Sequence, residues 1–136
     1  MRFKHYICES KSIHQIKKEF KTTAEDFIKK LARVYKIKNP YTIKIHSKIH
    51  YSGECDKDDQ TISIKTSAMD TDTLYHEIAH WIQMERDGIK SFCTDMANFK
   101  NYDPDVAQEH YKMQKSVRKI AKDMGFDKKL REIIAS

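Results

Sequence analysis

Glycine and proline are scarce, with 3 and 2 residues among 136, which excludes collagen-like and low-complexity architectures. The 3 cysteines, Cys8, Cys55 and Cys93, are odd in number and contain no CxxC pair. That pattern argues against a disulfide framework and for reduced thiols. No apolar run approaches the roughly 18 residues that a membrane-spanning helix needs. The opening stretch Met1-Arg2-Phe3-Lys4-His5-Tyr6-Ile7-Cys8-Glu9 lacks the apolar core of a secretory signal. A cytoplasmic protein without a membrane segment is therefore expected. Long runs of one charge are missing too: the lysine pairs Lys17-Lys18, Lys29-Lys30 and Lys128-Lys129 are dispersed among acids.

What is present suits one packed domain spanning 1–136. The mass is 16.1 kDa, hydrophobic residues make up 39%, charged residues 34%, and the mean hydropathy is −0.78. Disorder is excluded by 6 Phe, 7 Tyr and 1 Trp, which need an interior. Lys and Arg number 26 against 20 Asp and Glu, a net charge of +6. Nucleic acid is thus admitted as a partner, on charge alone.

Periodicity divides the chain into helix, small sheet, helix, helix, an α+β order. Ile13, Ile16, Phe20, Ala24, Phe27, Leu31 and Val34 recur at helical steps over 11–36, and Asn39-Pro40 ends that segment. Residues 41–51 alternate as a strand with a bend near Ser47, 52–59 are turn-rich, and Thr61–Thr66 is a clean period-two strand. An antiparallel meander or hairpin is the simplest arrangement of 41–66. Asp70, Thr71 and Asp72 offer caps for a helix that runs through Leu74, Ile78, Trp81 and Ile82 to Asp87-Gly88. The stretch 89–103 reads as irregular or partly helical. Asp103-Pro104-Asp105 starts a long helix that Gly125 ends, and 127–134 closes the chain as a short one.

On the middle helix stands His76-Glu77-Ile78-Ala79-His80. Histidines at i and i+4 lie one above the other, so both imidazoles reach one ion. A glutamate beside the first reaches the water that the ion activates, taking its proton and passing it to the leaving amine. With 7 histidines in the chain, composition alone would produce this pattern about 0.02 times. The competing reading is a pair of surface histidines on an amphipathic helix. Catalytic zinc needs three protein ligands. The chain continues Trp81-Ile82-Gln83-Met84 without another histidine, so the third comes from the next helix, which offers Asp105, Glu109 and His110. Asp105 and Glu109 share a face, and His110 points about 100° away. Glu109 is selected, His110 is the alternative, and Asp105 suits hydrogen bonding to an imidazole.

The block Thr71–Gln83, followed by a glutamate on a later helix, resembles the gluzincin clan of zinc metallopeptidases. Size and element order are most similar to the single-domain minigluzincins, and the pattern also resembles ImmA/IrrE-type and SprT-like peptidases. The resemblance implies a peptidase acting on peptide or protein substrates, with Zn2+ held by His76, His80 and Glu109 and with Glu77 as general base. It also implies a mostly antiparallel sheet whose edge strand, here 61–66, pairs with the substrate. Met113 stands one turn beyond Glu109, where many gluzincins carry an acid. Tyr102, His110 and Tyr111 are oxyanion-donor candidates. Cys8 could cap the ion, but a plain thiol is the simpler reading. His46 and His50, about 13 Å apart on a strand, are not co-ligands. Phe92, Phe99, Tyr102 and Tyr111 serve the core or a subsite. The alternative function is a non-catalytic or latent regulatory or nucleic-acid-associated module of the same fold. A hydrolase of non-peptide substrates is a third reading.

Overall fold

The computed structural model describes residues 11–49, 51–89 and 102–136. Expectations for Cys8, His50, Phe92, Cys93, Phe99 and most of 89–103 lie outside them.

The first helix, α1 (Ile13–Tyr35), is capped by Ser12, whose side chain accepts from the N–H of Gln15. Its inward stripe is Ile16, Phe20, Ala24, Phe27, Ile28 and Leu31, all buried. Lys36 ends it in the left-handed region (φ 57°), and the N–H of Ile37 turns back onto the carbonyl of Ala32 at 2.8 Å. Three strands follow, β1 (Thr42–His46), β2 (Gly53–Asp56) and β3 (Thr61–Lys65). A short 3-10 turn, Thr66–Ala68, leads to α2 (Thr71–Glu85), then α3 (Pro104–Asp123) and α4 (Phe126–Ile134). Asp70 caps α2 through the N–H of Thr73 at 2.7 Å. Asp103 caps α3 ahead of a first-turn proline. The α+β expectation is met, and no helix among the described residues is long and apolar enough to cross a membrane.

The sheet departs from the expected meander. Its order is β1-β3-β2, with β1 parallel and β2 antiparallel to β3. The polar segment expected only to turn contains β2 itself. Asp56 closes the β2–β3 hairpin, its Oδ1 accepting from the N–H groups of Asp58 and Asp59. Residues 47–60 thereby act as the crossover that a parallel β1–β3 pair requires. It follows that β3 is central, not the substrate-facing edge. Its Ile62 and Ile64 are wholly buried, and both of its sides are paired. Both β2 and β3 pack on α2, β2 the more extensively.

One apolar cluster joins α1, the sheet and the C-terminal helices. Two buried polar anchors fix α2 within it. The indole N–H of Trp81 donates to the carbonyl of Asn39 at 2.9 Å, and the Tyr75 hydroxyl donates to Asp127 of α4 at 2.6 Å. Arg118 of α3 reaches Asp72 of α2 at 3.0 Å.

Candidate metal centre

Consecutive residues on α2 face different neighbours, because each step turns the helix by about 100°. Tyr75 meets α4, His76 meets α3, and Glu77 meets β2. His80, one turn after His76, meets α3 again. The helix α3 answers with His110, which is wholly buried. The three imidazole centroids stand 4.7, 4.2 and 4.1 Å apart, and one ligand nitrogen from each lies within 4.8 Å of the others.

The contacts are specific. His80 Nε2 and His76 Nε2 are 3.2 Å apart, and His110 Nε2 is 2.8 Å from His76 Nδ1. His110 Nδ1 stands 3.1 Å from Gln83 Oε1. An amide oxygen only accepts, so His110 Nδ1 carries the proton and its Nε2 the lone pair that faces the cluster. His76 Nδ1 also faces Gln114 Oε1 at 3.4 Å. Burial lowers the basicity of all three rings. It pushes His80 down to about 2, with the nearby His110 and His76 adding to the effect, and His110 down to about 3 by burial and then by His76. His76 is also lowered by burial, and Gln114 opposes this in part. Three neutral imidazoles at close quarters are metal-ligand chemistry. A tetrahedral zinc with nitrogens at roughly 2.0–2.1 Å sets its ligand atoms about 3.3 Å apart, and the 3.2 Å separation of the His76 and His80 Nε2 atoms fits.

Glu77 lies against β2 with only 5% of its surface exposed. Gly53 opens the space for it: a Cβ there would stand 2.9 Å from both Cγ and Oε2 of Glu77. The carboxyl is pushed up to about 8, chiefly by burial and secondarily by the charge of Glu54. It forms no hydrogen bond or ion pair among the described residues. A carboxylate so placed is costly unless a cation or a proton accompanies it.

Of the residues selected from sequence, the structure brings His76 and His80 together and keeps Glu77 beside them in the chain, facing β2. It does not bring Glu109 to the cluster. That side chain is 65% exposed and faces Lys112 at 3.5 Å, and Asp105 is likewise exposed in the first turn of α3. The third member of the cluster is His110. The reason is rotational: α3 packs through Ala107, His110, Val117 and Ala121, a stripe that turns Glu109 outward. Reading the stripe from Ala107 rather than Val106 would have found His110. Gln83, Gln114 and Gly53 were missed as well. The first two carry a signal, since Gln83 is three residues from His80 and Gln114 four from His110. Tyr111 is exposed and Tyr102 half-buried.

No protein-family model matches the chain, and neither a curated protein nor a solved structure is found similar to it.

Proposed function

We propose that this chain is a zinc-dependent peptidase, its metal held by His76, His80 and His110 and its general base Glu77. The observation that carries this reading is the convergence of three neutral ring nitrogens on a helix that also bears a buried carboxyl. A zinc ion bound there would polarise a carbonyl and bring a water's pKa towards about 7.

The chain's own residues supply the rest. Glu77 takes a proton on a carboxylate oxygen and returns it to the leaving amine. Its walled position under β2 keeps bulk water from competing for that proton. Gln83 and Gln114 orient the His110 and His76 rings, as carbonyl oxygens commonly do behind ligating histidines. The outer side of β2, unpaired among the described residues, is suited to an extended peptide added as a further strand. The gluzincin resemblance is thereby restricted to the α2 motif, with an imidazole in the place of the glutamate ligand. An odd cysteine count supports a cytoplasmic setting.

Zinc titration of the purified chain against a chromophoric chelator tests the site. One zinc per chain is expected, lost in His80→Ala and His110→Ala and retained in Glu109→Gln and Glu77→Gln. Retention by His110→Ala, or loss in Glu109→Gln, refutes the three-histidine set. Cleavage of a quenched fluorescent peptide library should vanish in Glu77→Gln. Undiminished cleavage there overturns the mechanism, and zinc binding with no cleavage by the wild type leaves the non-catalytic module as the function.

A further inference from the structure

The other edge of the sheet holds a second feature, independent of the histidine cluster. Among the described residues, strand β1 pairs with β3 on one side only. The N–H of Thr42 points to β3, donating to the carbonyl of Gln60 at 3.2 Å. Because N–H groups alternate along a strand, those of Ile43 and Ile45 point away from the sheet. Glu25 of α1 accepts from Ile43 at 2.9 Å, which leaves Ile45 as the outward donor. Between this edge and α1 runs a groove of about 420 Å³. Its floor is the half-buried Ile45 above the wholly buried Ile43, its walls are Lys17, Lys18 and Lys21 of α1 and Lys44 of β1, and His14 and His46 complete the lining.

The charge here is one-sided. Glu25 is the acid within the groove's reach, and it is already engaged by Lys21 at 2.6 Å. Lys17, Lys18 and Lys44 form no ion pair among the described residues. A basic rim over an aliphatic floor, beside an outward strand N–H, matches one kind of occupant.

We infer that this groove binds an extended acidic peptide segment with aliphatic side chains at alternate positions. The peptide would accept from the Ile45 N–H, set an aliphatic group on the part-exposed side chain of Ile45, and turn its carboxylates to Lys17, Lys18 and Lys44. Nucleic acid fits less well, since the lining holds only the small imidazoles of His14 and His46 and no Phe, Tyr or Trp on which bases could stack. Because β1 and β2 are opposite edges, a peptide held here leaves the Glu77 side of the sheet uncovered, and its binding does not depend on the proposed hydrolysis.

Fluorescence polarisation on the full chain tests this. The probe is a labelled peptide of alternating glutamate and valine, about eight residues long. The comparison probes are an alternating lysine and valine peptide and oligodeoxythymidine of about twenty nucleotides. Saturable binding of the acidic peptide is expected, weakening with salt and falling at least about tenfold in Lys17→Glu/Lys44→Glu. The helical circular dichroism should be unchanged, and Lys17→Gln/Lys44→Gln serves if the double reversal does not fold. Failure of the acidic peptide to saturate, equal affinity for the lysine peptide or for the variants, or tighter binding of the oligonucleotide would each overturn the inference.

Discussion

Gly53→Ala probes the contact between β2 and the buried Glu77. The added Cβ would stand 2.9 Å from Cγ and 3.2 Å from Cδ of Glu77. Carbon atoms in contact prefer about 3.5–4.0 Å, so Cγ must retreat by about 0.6–1.1 Å in a place with little free space. Overpacking of this kind costs about 1–3 kcal/mol. For a chain between the small and large domain classes this is a drop of about 4–12 °C in Tm. The backbone at Gly53 is not among the positive-φ positions, so in itself alanine fits there and contributes about 0.4–1 kcal/mol by stiffening the unfolded chain. The two effects separate in a double-mutant cycle. Gly53→Ala should destabilise the wild type but be neutral or stabilising in a Glu77→Ala background, where Cγ and the carboxyl are gone. The assay is thermal and urea unfolding of the four proteins. Additivity within about 0.5 kcal/mol would refute the contact. A displacement near 1 Å should also lower peptide cleavage by about 100-fold.

Other measurements address the surroundings. Gln83→Leu removes the oxygen that accepts from His110 Nδ1 and should weaken zinc binding about 10–100-fold by chelator competition, with the helical circular dichroism retained. Asp127 gives a pH dependence of known sign. Burial alone would raise its pKa, but hydrogen bonds from Tyr75 and Arg131 prevail and hold the carboxyl below the usual carboxylate range. A depressed native pKa contributes stability that is complete above the unfolded value near 3.9 and lost as pH falls through the native one. Asp127→Asn should accordingly show a shallower acid-side fall in Tm than the wild type, whereas an identical acid slope would discount the interaction. Tyr75→Phe, which deletes the buried 2.6 Å donor to that carboxylate, should cost about 1.5–3 kcal/mol in urea unfolding.

Much of the fold is legible in residue order because the long helices announce themselves twice, by stripe and by cap. Phe20, Ala24, Phe27 and Leu31 define the buried face of α1, and Asp70 and Asp103 stand where α2 and α3 begin. The strand β2 is not legible, since Gly53-Glu54-Cys55-Asp56 has neither alternation nor β-branched residues. It is a strand because β3 and α2 offer it partners. The parallel pairing of β1 is hidden for the same reason, as nearest neighbours in sequence suggest a hairpin until β2 is seen between them. At the candidate metal centre, spacing alone identifies His76, Glu77 and His80. The choice between Glu109 and His110 turns on one helical step, and tertiary packing of α3 through Ala107 and Val117 decides it. The gluzincin resemblance, which implies a glutamate ligand, points the other way.

The neighbours Tyr75, His76 and Glu77 engage α4, α3 and β2 in turn. A rod keyed at three angles can neither spin nor tilt without releasing one key. Helix α2 thus has its rotational setting enforced from all sides, and the aim of the histidines is inherited from contacts with no metal chemistry of their own. Random mutagenesis selecting for lost zinc occupancy should therefore recover changes in α4, at Asp127 above all, far along the chain from any ligand.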